Sequence, residues 1–115
     1  MDVNENPWAR KEATPAALLA RAYALICHAE EAAADLDSLA GSQLVVLCQE
    51  AKGTLRDCQA PLDADLMSVP PPSSDLRELL LDADAQLDRI PPADRHPELL
   101  LARARLVEAA TFTEV

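Results

Sequence analysis

The chain is poor in the residues that build β-sheets. Its 115 residues include one Trp, one Tyr and one Phe, and Val and Ile together number eight. Because strands are enriched in β-branched and aromatic residues, this scarcity argues against a sheet-containing domain. Ala and Leu, which have high helix propensity, occur 22 and 19 times instead. The composition therefore predicts an all-α protein, and the length suits one domain.

Further absences narrow the class of protein. No run of 18 apolar residues is present, which argues against a membrane span. The net charge of −10 would repel a nucleic-acid backbone. The first residues lack the basic-then-apolar order of a signal peptide. Three cysteines, an odd number, suit buried thiols better than a disulfide framework. We therefore expect a cytoplasmic protein that binds neither nucleic acid nor membrane, and the Arg, Ala and Pro content suggests a bacterial source.

The chain divides into a polar arm and one helical domain. Residues 1–13 form the arm, where Asn6 followed by Pro7 can cap a short helix. Over residues 14–115, apolar residues recur at alternating intervals of four and three, the period of a helix face in a bundle. This period predicts four helices, at residues 15–40, 42–59, 75–90 and 95–112.

Capping residues and a Pro-rich segment set the expected topology. Thr14 and Ser42 are the expected N-caps of the first two helices, and either Ser74 or Asp75 is expected to cap the third. Gly41 is expected to end the first helix. Residues 69–74 contain three consecutive prolines and form an extended connector. Short loops place consecutive helices side by side in opposite directions. We therefore predict an up-down-up-down four-helix bundle, built from two antiparallel helical hairpins joined by the Pro-rich connector.

Two Arg/His pairs are the candidates for catalytic chemistry. Arg21 precedes His28 by seven residues, and Arg89 precedes His96 by the same number. This spacing falls within the range of the Arg-x-His motif of HEPN-type helical ribonucleases, where such a pair would stabilise a phosphorane and move its proton. With two His and eight Arg in the chain, chance matches are expected, and the acidity disfavours an RNA substrate. We favour ordinary surface residues, with a HEPN-like ribonuclease as the less favoured alternative.

Patterns of metal ligands are missing from the sequence. A di-iron bundle needs Glu-x-x-His pairs and a structural zinc site needs paired Cys-x-x-Cys, and the chain has neither. Asp82 and Asp84 begin like a calcium loop, but Leu87 and Ala93 stand where Gly and Glu are required. We therefore predict no metal, no cofactor and no enzymatic activity.

The first helix carries a second face of small apolar residues. That face lies opposite the predicted core positions, and it holds Ala20, Ala24, Cys27, Glu31 and Ala34. A helix that is apolar on two sides is either central in its bundle or in contact with another subunit. The prediction is a non-enzymatic protein that acts through protein–protein contact, as a homodimer through this face. An exposed face made of good helix formers is the alternative interpretation.

Acidic residues are concentrated in residues 61–94. This segment has eight acidic and two basic residues, and Asp82, Asp84 and Asp88 are the candidates for binding a partner. A charge run is usually a solvated helix face, which is the interpretation we favour. The alternative is a docking surface for a basic protein, which would make the chain an acidic inhibitor or an immunity-type protein.

Overall fold

The protein is all-helical over the residues that the structure describes. The structure is a computed structural model that describes residues 6–11 and 13–113, and it contains no strand within those ranges. The α-helices are α1 (Pro15–Ala34), α2 (Leu39–Asp57), α3 (Ala64–Ser68), α4 (Leu76–Asp88) and α5 (Leu99–Phe112). Single turns of 3-10 helix occur at Pro7–Ala9 and Pro92–Asp94. The predicted all-α class is confirmed, and residues 1–5 and 12 of the predicted arm lie outside the described residues.

Polar side chains begin two of the long helices where the sequence predicts. Thr14 and Asp75 cap α1 and α4, because each side-chain oxygen accepts the backbone N–H three residues on, at 3.1 and 3.0 Å. Asn6 accepts the Trp8 N–H at 2.9 Å and caps the first 3-10 turn. These contacts confirm the predicted caps at Asn6, Thr14 and Asp75, and helix in the described part of the arm is limited to that single turn. The last long helix begins at Leu99, four residues later than predicted.

The junction between α1 and α2 differs from the prediction. α1 ends at Ala34 and not at residue 40. Ser38, and not Ser42, caps α2, because its hydroxyl accepts the Gly41 N–H at 3.0 Å. Gly41 therefore lies in the first turn of α2, and its predicted role as the C-terminal cap of α1 is wrong.

Two leucines account for this error. Leu36 and Leu39 continue the four-three spacing of α1, but their side chains are 52% and 78% exposed. Asp37 between them has a φ of 46°, a left-handed conformation that Asp adopts more readily than most residues. The apolar spacing thus continues by coincidence across a turn made by polar residues.

The hydrophobic core is built from all four long helices. In α2, α4 and α5 the core positions that the four-three spacing predicts are buried, apart from the half-buried Leu76. The buried ones are Leu44, Cys48, Ala51, Leu55, Leu80, Ala83, Leu87, Leu99, Ala102, Leu106 and Ala109. In α1 the predicted positions are buried as far as Ala29. The most enclosed large side chains on these helices are Leu18, Leu25, Ile26, Leu44, Leu55, Leu80, Leu87, Leu99 and Leu106. Burial of these side chains is the main favourable contribution to folding.

The long helices contact one another in a closed ring. α1 packs on α2 and α4, and α5 packs on the same two helices. The start of α4 lies beside the end of α1, since Leu76 and Leu36 line one cavity. The start of α2 lies beside the end of α5, since Val46 and Phe112 line another. Thus α1 and α5 run in one direction and α2 and α4 in the other, which differs from the predicted up-down-up-down alternation.

The connector is the reason for the different order. Residues 58–75 pass from the end of α2 along the side of α1 to the opposite end of the molecule, and α3 lies within this crossover. Early in the crossover, Pro61 lines a cavity with Ala17 and Ala20. Farther along, the Leu66 carbonyl oxygen lies 2.9 Å from His28 Nε2. The prolines that follow favour an extended chain. The connector therefore joins the antiparallel pairs α1–α2 and α4–α5 by spanning the length of the helices, and not by reversing at one end.

Candidate interaction surface

The middle of α1 is buried on all sides by this chain itself. The seven consecutive residues from Ala20 to Ile26 are each at most 7% exposed. The crossover and α3 lie against α1 on the side away from the core. Ala20 and Ala24, which were predicted to contact a second copy, are therefore covered within one chain. Of the two arrangements that the sequence allowed, α1 adopts the central one.

The other residues of that predicted face differ in exposure. Cys27 is half-buried, whereas Glu31 and Ala34 are exposed. Burial raises the pKa of the Cys27 thiol, and the nearby Lys52 ammonium offsets this effect only in part. The thiol is therefore protonated at neutral pH and a weak nucleophile. A dimer through this face stays a prediction, with two of its five residues exposed.

Arg21 and His28 hold the arm and the crossover against α1. The Arg21 guanidinium donates to the carbonyl oxygen of Arg10 at 2.8 Å. His28 Nε2 donates to the Leu66 carbonyl oxygen at 2.9 Å, because a carbonyl can only accept. The rings of Trp8 and His28 lie with their centroids 5.9 Å apart. The pair shares one face of the helix, as the spacing predicts, and both side chains are engaged in hydrogen bonds to backbone carbonyls.

Further contacts join the arm to the crossover. Arg10 forms ion pairs with Asp63 at 3.1 Å and with Asp65 at 3.0 Å. The indole Nε1 of Trp8 donates to the Val69 carbonyl oxygen at 3.4 Å. These contacts, with those of Arg21 and His28, explain why the apolar residues on the outer side of α1 need no second copy to cover them.

The second Arg/His pair also has partners within the chain. Arg89 donates to the Gln86 side-chain oxygen at 3.3 Å. His96 Nδ1 accepts the Glu98 N–H at 3.1 Å, just before α5 begins. Each of these side chains thus has a separate local role.

The acidic residues of α4 that are the candidates for docking a basic partner form hydrogen bonds or ion pairs with other side chains of the chain. Arg103 Nε donates to Asp84 at 2.8 Å, and Arg103 Nη1 lies 3.1 Å from Asp88. The hydrogen bond to Asp84 is the main reason that the pKa of Arg103 is raised. Asp82 accepts from the Gln86 amide at 3.1 Å. Binding of a basic partner stays the alternative interpretation of this segment, and part of its acidity joins α4 to α5.

Exposed apolar side chains are concentrated on α2 and α5. In the described part of the chain, nine large hydrophobic side chains are exposed, and five of them lie on these two adjacent helices. They are Leu39, Val46, Leu100, Leu101 and Val107. Leu100 and Val107 are two helical turns apart and face outward from α5, whose opposite side is buried in the core. α5 is therefore apolar on two sides, and one of these sides faces solvent.

A groove runs between α2 and α5, and Val46 and Leu101 of these five residues line it. At one end, Val46, Leu47 and Phe112 line an apolar cavity of about 330 Å³. At the other end, Gly53 and Leu101 line a more open cavity. We call this groove, together with the five exposed side chains, the α2–α5 surface.

Charges on the α2–α5 surface balance one another. Arg105 lies between Glu50 at 2.9 Å and Glu108 at 3.1 Å, in the middle of the groove. Altogether α2 and α5 carry four basic and three acidic residues, so the net charge of −10 arises elsewhere in the chain. An apolar, nearly neutral area on a strongly acidic molecule is typical of a protein–protein interface.

A run of leucines at the start of α5 points to this surface, although the four-three spacing accounts for only one of them. α5 begins with the consecutive residues Leu99, Leu100 and Leu101, of which the first is buried and the other two are exposed. Three apolar residues in a row occupy about 200° around a helix, which exceeds the width of one core-facing stripe. Counting apolar residues outside the core positions would have identified α5 as a two-sided helix.

Comparisons with models of known protein families, with curated proteins and with solved structures find no match. Within residues 6–11 and 13–113, no group of three or more His, Cys, Asp or Glu side chains could hold a metal ion. None of the described helices is long and apolar enough to cross a membrane. The α2–α5 surface is thus the feature of the molecule from which a function can be inferred.

Proposed function

We propose that this chain is a non-enzymatic helical protein that acts through protein–protein contact, and that it forms a homodimer through the α2–α5 surface. Its four long helices form a four-helix bundle, in which residues 58–75 are a long crossover connection. The observation that carries the proposal is that five of the nine exposed large apolar side chains of the described residues lie on two adjacent helices with balanced charge.

Apolar burial is the expected driving force for the dimer. Full burial of a Leu or Val side chain contributes about 1.5–3 kcal/mol. The five side chains are on average about 60% exposed in the single chain, so burying them on both copies contributes on the order of 9–18 kcal/mol. Association costs about 4–15 kcal/mol of translational, rotational and side-chain freedom. The two magnitudes are comparable, which supports a dimer that exchanges with the monomer.

Charge supports a second copy as the partner. Two copies that each carry a charge of −10 repel one another over most of their surface. Repulsion is smallest where the local charge is balanced, which is on α2 and α5. A basic partner would instead gain most at the acidic parts of the chain.

Replacing one exposed leucine tests the proposal. Leu100 lies in the first turn of α5 and is 74% exposed, so Leu100→Asp is compatible with the fold and is favoured by the helix dipole. Leu62, which is 68% exposed on the crossover, supplies the matched control Leu62→Asp. Light scattering after size-exclusion chromatography should give about twice 12.4 kDa for the wild type and for Leu62→Asp, and 12.4 kDa for Leu100→Asp. A wild type that stays at 12.4 kDa up to millimolar concentration, or a Leu100→Asp variant that remains dimeric, would refute the proposal.

A further inference from the structure

The two glycines of the chain, Gly41 and Gly53, both lie in α2 but have different surroundings. A Cβ atom at Gly41 would lie 2.7 Å from the Ala33 carbonyl oxygen, so the packing of α1 on α2 excludes a side chain there. A Cβ atom at Gly53 would meet no heavy atom within 4 Å. Contacts within the described chain therefore account for Gly41 and leave Gly53 without an explanation.

Backbone conformation does not explain Gly53 either. No glycine in the described chain has a positive φ, so the helical backbone at Gly53 would accept an L side chain. Glycine in a helix interior is destabilising relative to alanine, because more backbone entropy is lost on folding. The chain contains 22 alanines, yet glycine stands in the interior of α2. The missing side chain thus weakens the helix, and no contact within the described residues requires it.

Gly53 lies on the α2–α5 surface. It lines the open end of the groove together with Thr54 on its own helix and with Leu101 and Arg105 on α5. A helix normally approaches another to within 8–10 Å between axes, with the distance set by the side chains at the contact. A glycine at that contact allows the shortest distances in this range.

We propose that a helix of a second copy of this chain crosses the α2–α5 groove at Gly53, where the absent side chain lets the two backbones approach closely. This inference rests on the proposed homodimer and locates its point of closest contact. The charges that line the groove suit a second copy, because Glu50, Arg56, Asp57, Arg105 and Glu108 include both signs. A surface with both signs can be complementary to itself across a two-fold axis.

Substitution of Gly53 separates the effect on the fold from the effect on the dimer. At protein concentrations below the dimer dissociation constant, Gly53→Ala should raise the melting temperature of the monomer by about 4 °C, because alanine favours the helix. The same variant should raise the dimer dissociation constant at least tenfold, and Gly53→Leu should raise it further, because each added atom separates the two backbones. Sedimentation velocity over a concentration series measures the dissociation constant.

Ala85→Leu on α4 is the control for adding a bulky side chain to an exposed helical position, and it should leave the dissociation constant within about twofold of the wild type. If Gly53→Ala raises the melting temperature but leaves the dissociation constant unchanged while Leu100→Asp gives monomers, the contact at Gly53 is refuted and the homodimer stands. If the wild type is monomeric at every concentration, both the contact and the homodimer are refuted.

Discussion

Replacing Gly41 with alanine should destabilise the protein, although alanine is the better helix former. The new Cβ atom would lie 2.7 Å from the Ala33 carbonyl oxygen and 3.0 Å from Leu36 Cβ. Ordinary contacts are about 3.5–4.0 Å, so the turn between α1 and α2 must open by several tenths of an ångström. Neither contact is to the end of a flexible side chain, so neither can be relieved by a change of rotamer.

The expected magnitude follows from three effects. Overpacking of this kind costs about 1–3 kcal/mol. Opening the turn also strains the cap in which Ser38 accepts the Gly41 N–H at 3.0 Å, and loss of such a cap costs about 1 kcal/mol. The higher helix propensity of alanine offsets about 1 kcal/mol of this destabilisation. We expect Gly41→Ala to lower the free energy of unfolding by about 1–3 kcal/mol, which lowers the melting temperature by roughly 4–12 °C.

Thermal unfolding followed by circular dichroism measures this effect, and Gly53→Ala is the matched control in the same helix. Both variants should be compared at a concentration where the chain is monomeric. We expect the two melting temperatures to move in opposite directions, down for Gly41→Ala and up for Gly53→Ala. A Gly41→Ala protein that melts at or above the wild-type temperature would show that Gly41 does not pack against Ala33 and Leu36.

Two further perturbations test the core and a buried thiol. Ala29 is fully enclosed, so Ala29→Leu should destabilise the protein by about 1–3 kcal/mol through overpacking, whereas Ala34→Leu at the exposed end of α1 should change stability by less than about 0.5 kcal/mol. Equal urea midpoints for the two variants would contradict the central position of α1.

Burial raises the pKa of Cys48 from its ordinary value of about 9 to about 12. Because the unfolded thiol ionises first, this residue should lower the free energy of unfolding as the pH rises from 9 towards 12, and Cys48→Ala should make urea midpoints fall less steeply over that range. The same slope with and without Cys48 would disprove its burial.

The helix caps and the core positions were predictable because they depend on residues near one another in sequence. Thr14 and Asp75 accept N–H groups three residues on, a contact that a helix makes whatever surrounds it. The burial of Leu44, Leu55 and Leu80 follows from the helical period alone. The end of α1 was not predictable in this way. Leu36 and Leu39 continue the helical period beyond the end of α1, although both side chains are exposed to solvent.

The direction of α4 and the covering of α1 depend on contacts between distant residues. Whether residues 58–75 reverse at one end of the helices or run along α1 is not encoded in the helical period, since both paths bury the same core positions. The crossover is positioned by contacts over long separations, such as Arg10 with Asp63 and His28 with Leu66. Arg21 and His28 bind the backbone carbonyl oxygens of Arg10 and Leu66. Their spacing of seven residues could not reveal these partners, because both partners are distant in sequence.

The sequence by itself determined the helical class, the core positions and the acidic charge, because these follow from composition and local periodicity. Tertiary structure decided which apolar residues outside the core remain exposed. Ala20 and Ala24 of α1 are covered by the crossover, whereas Leu100 and Val107 of α5 have no covering element within the described chain. Both helices have two apolar sides in sequence, and the difference arises because the crossover passes over α1 and not over α5.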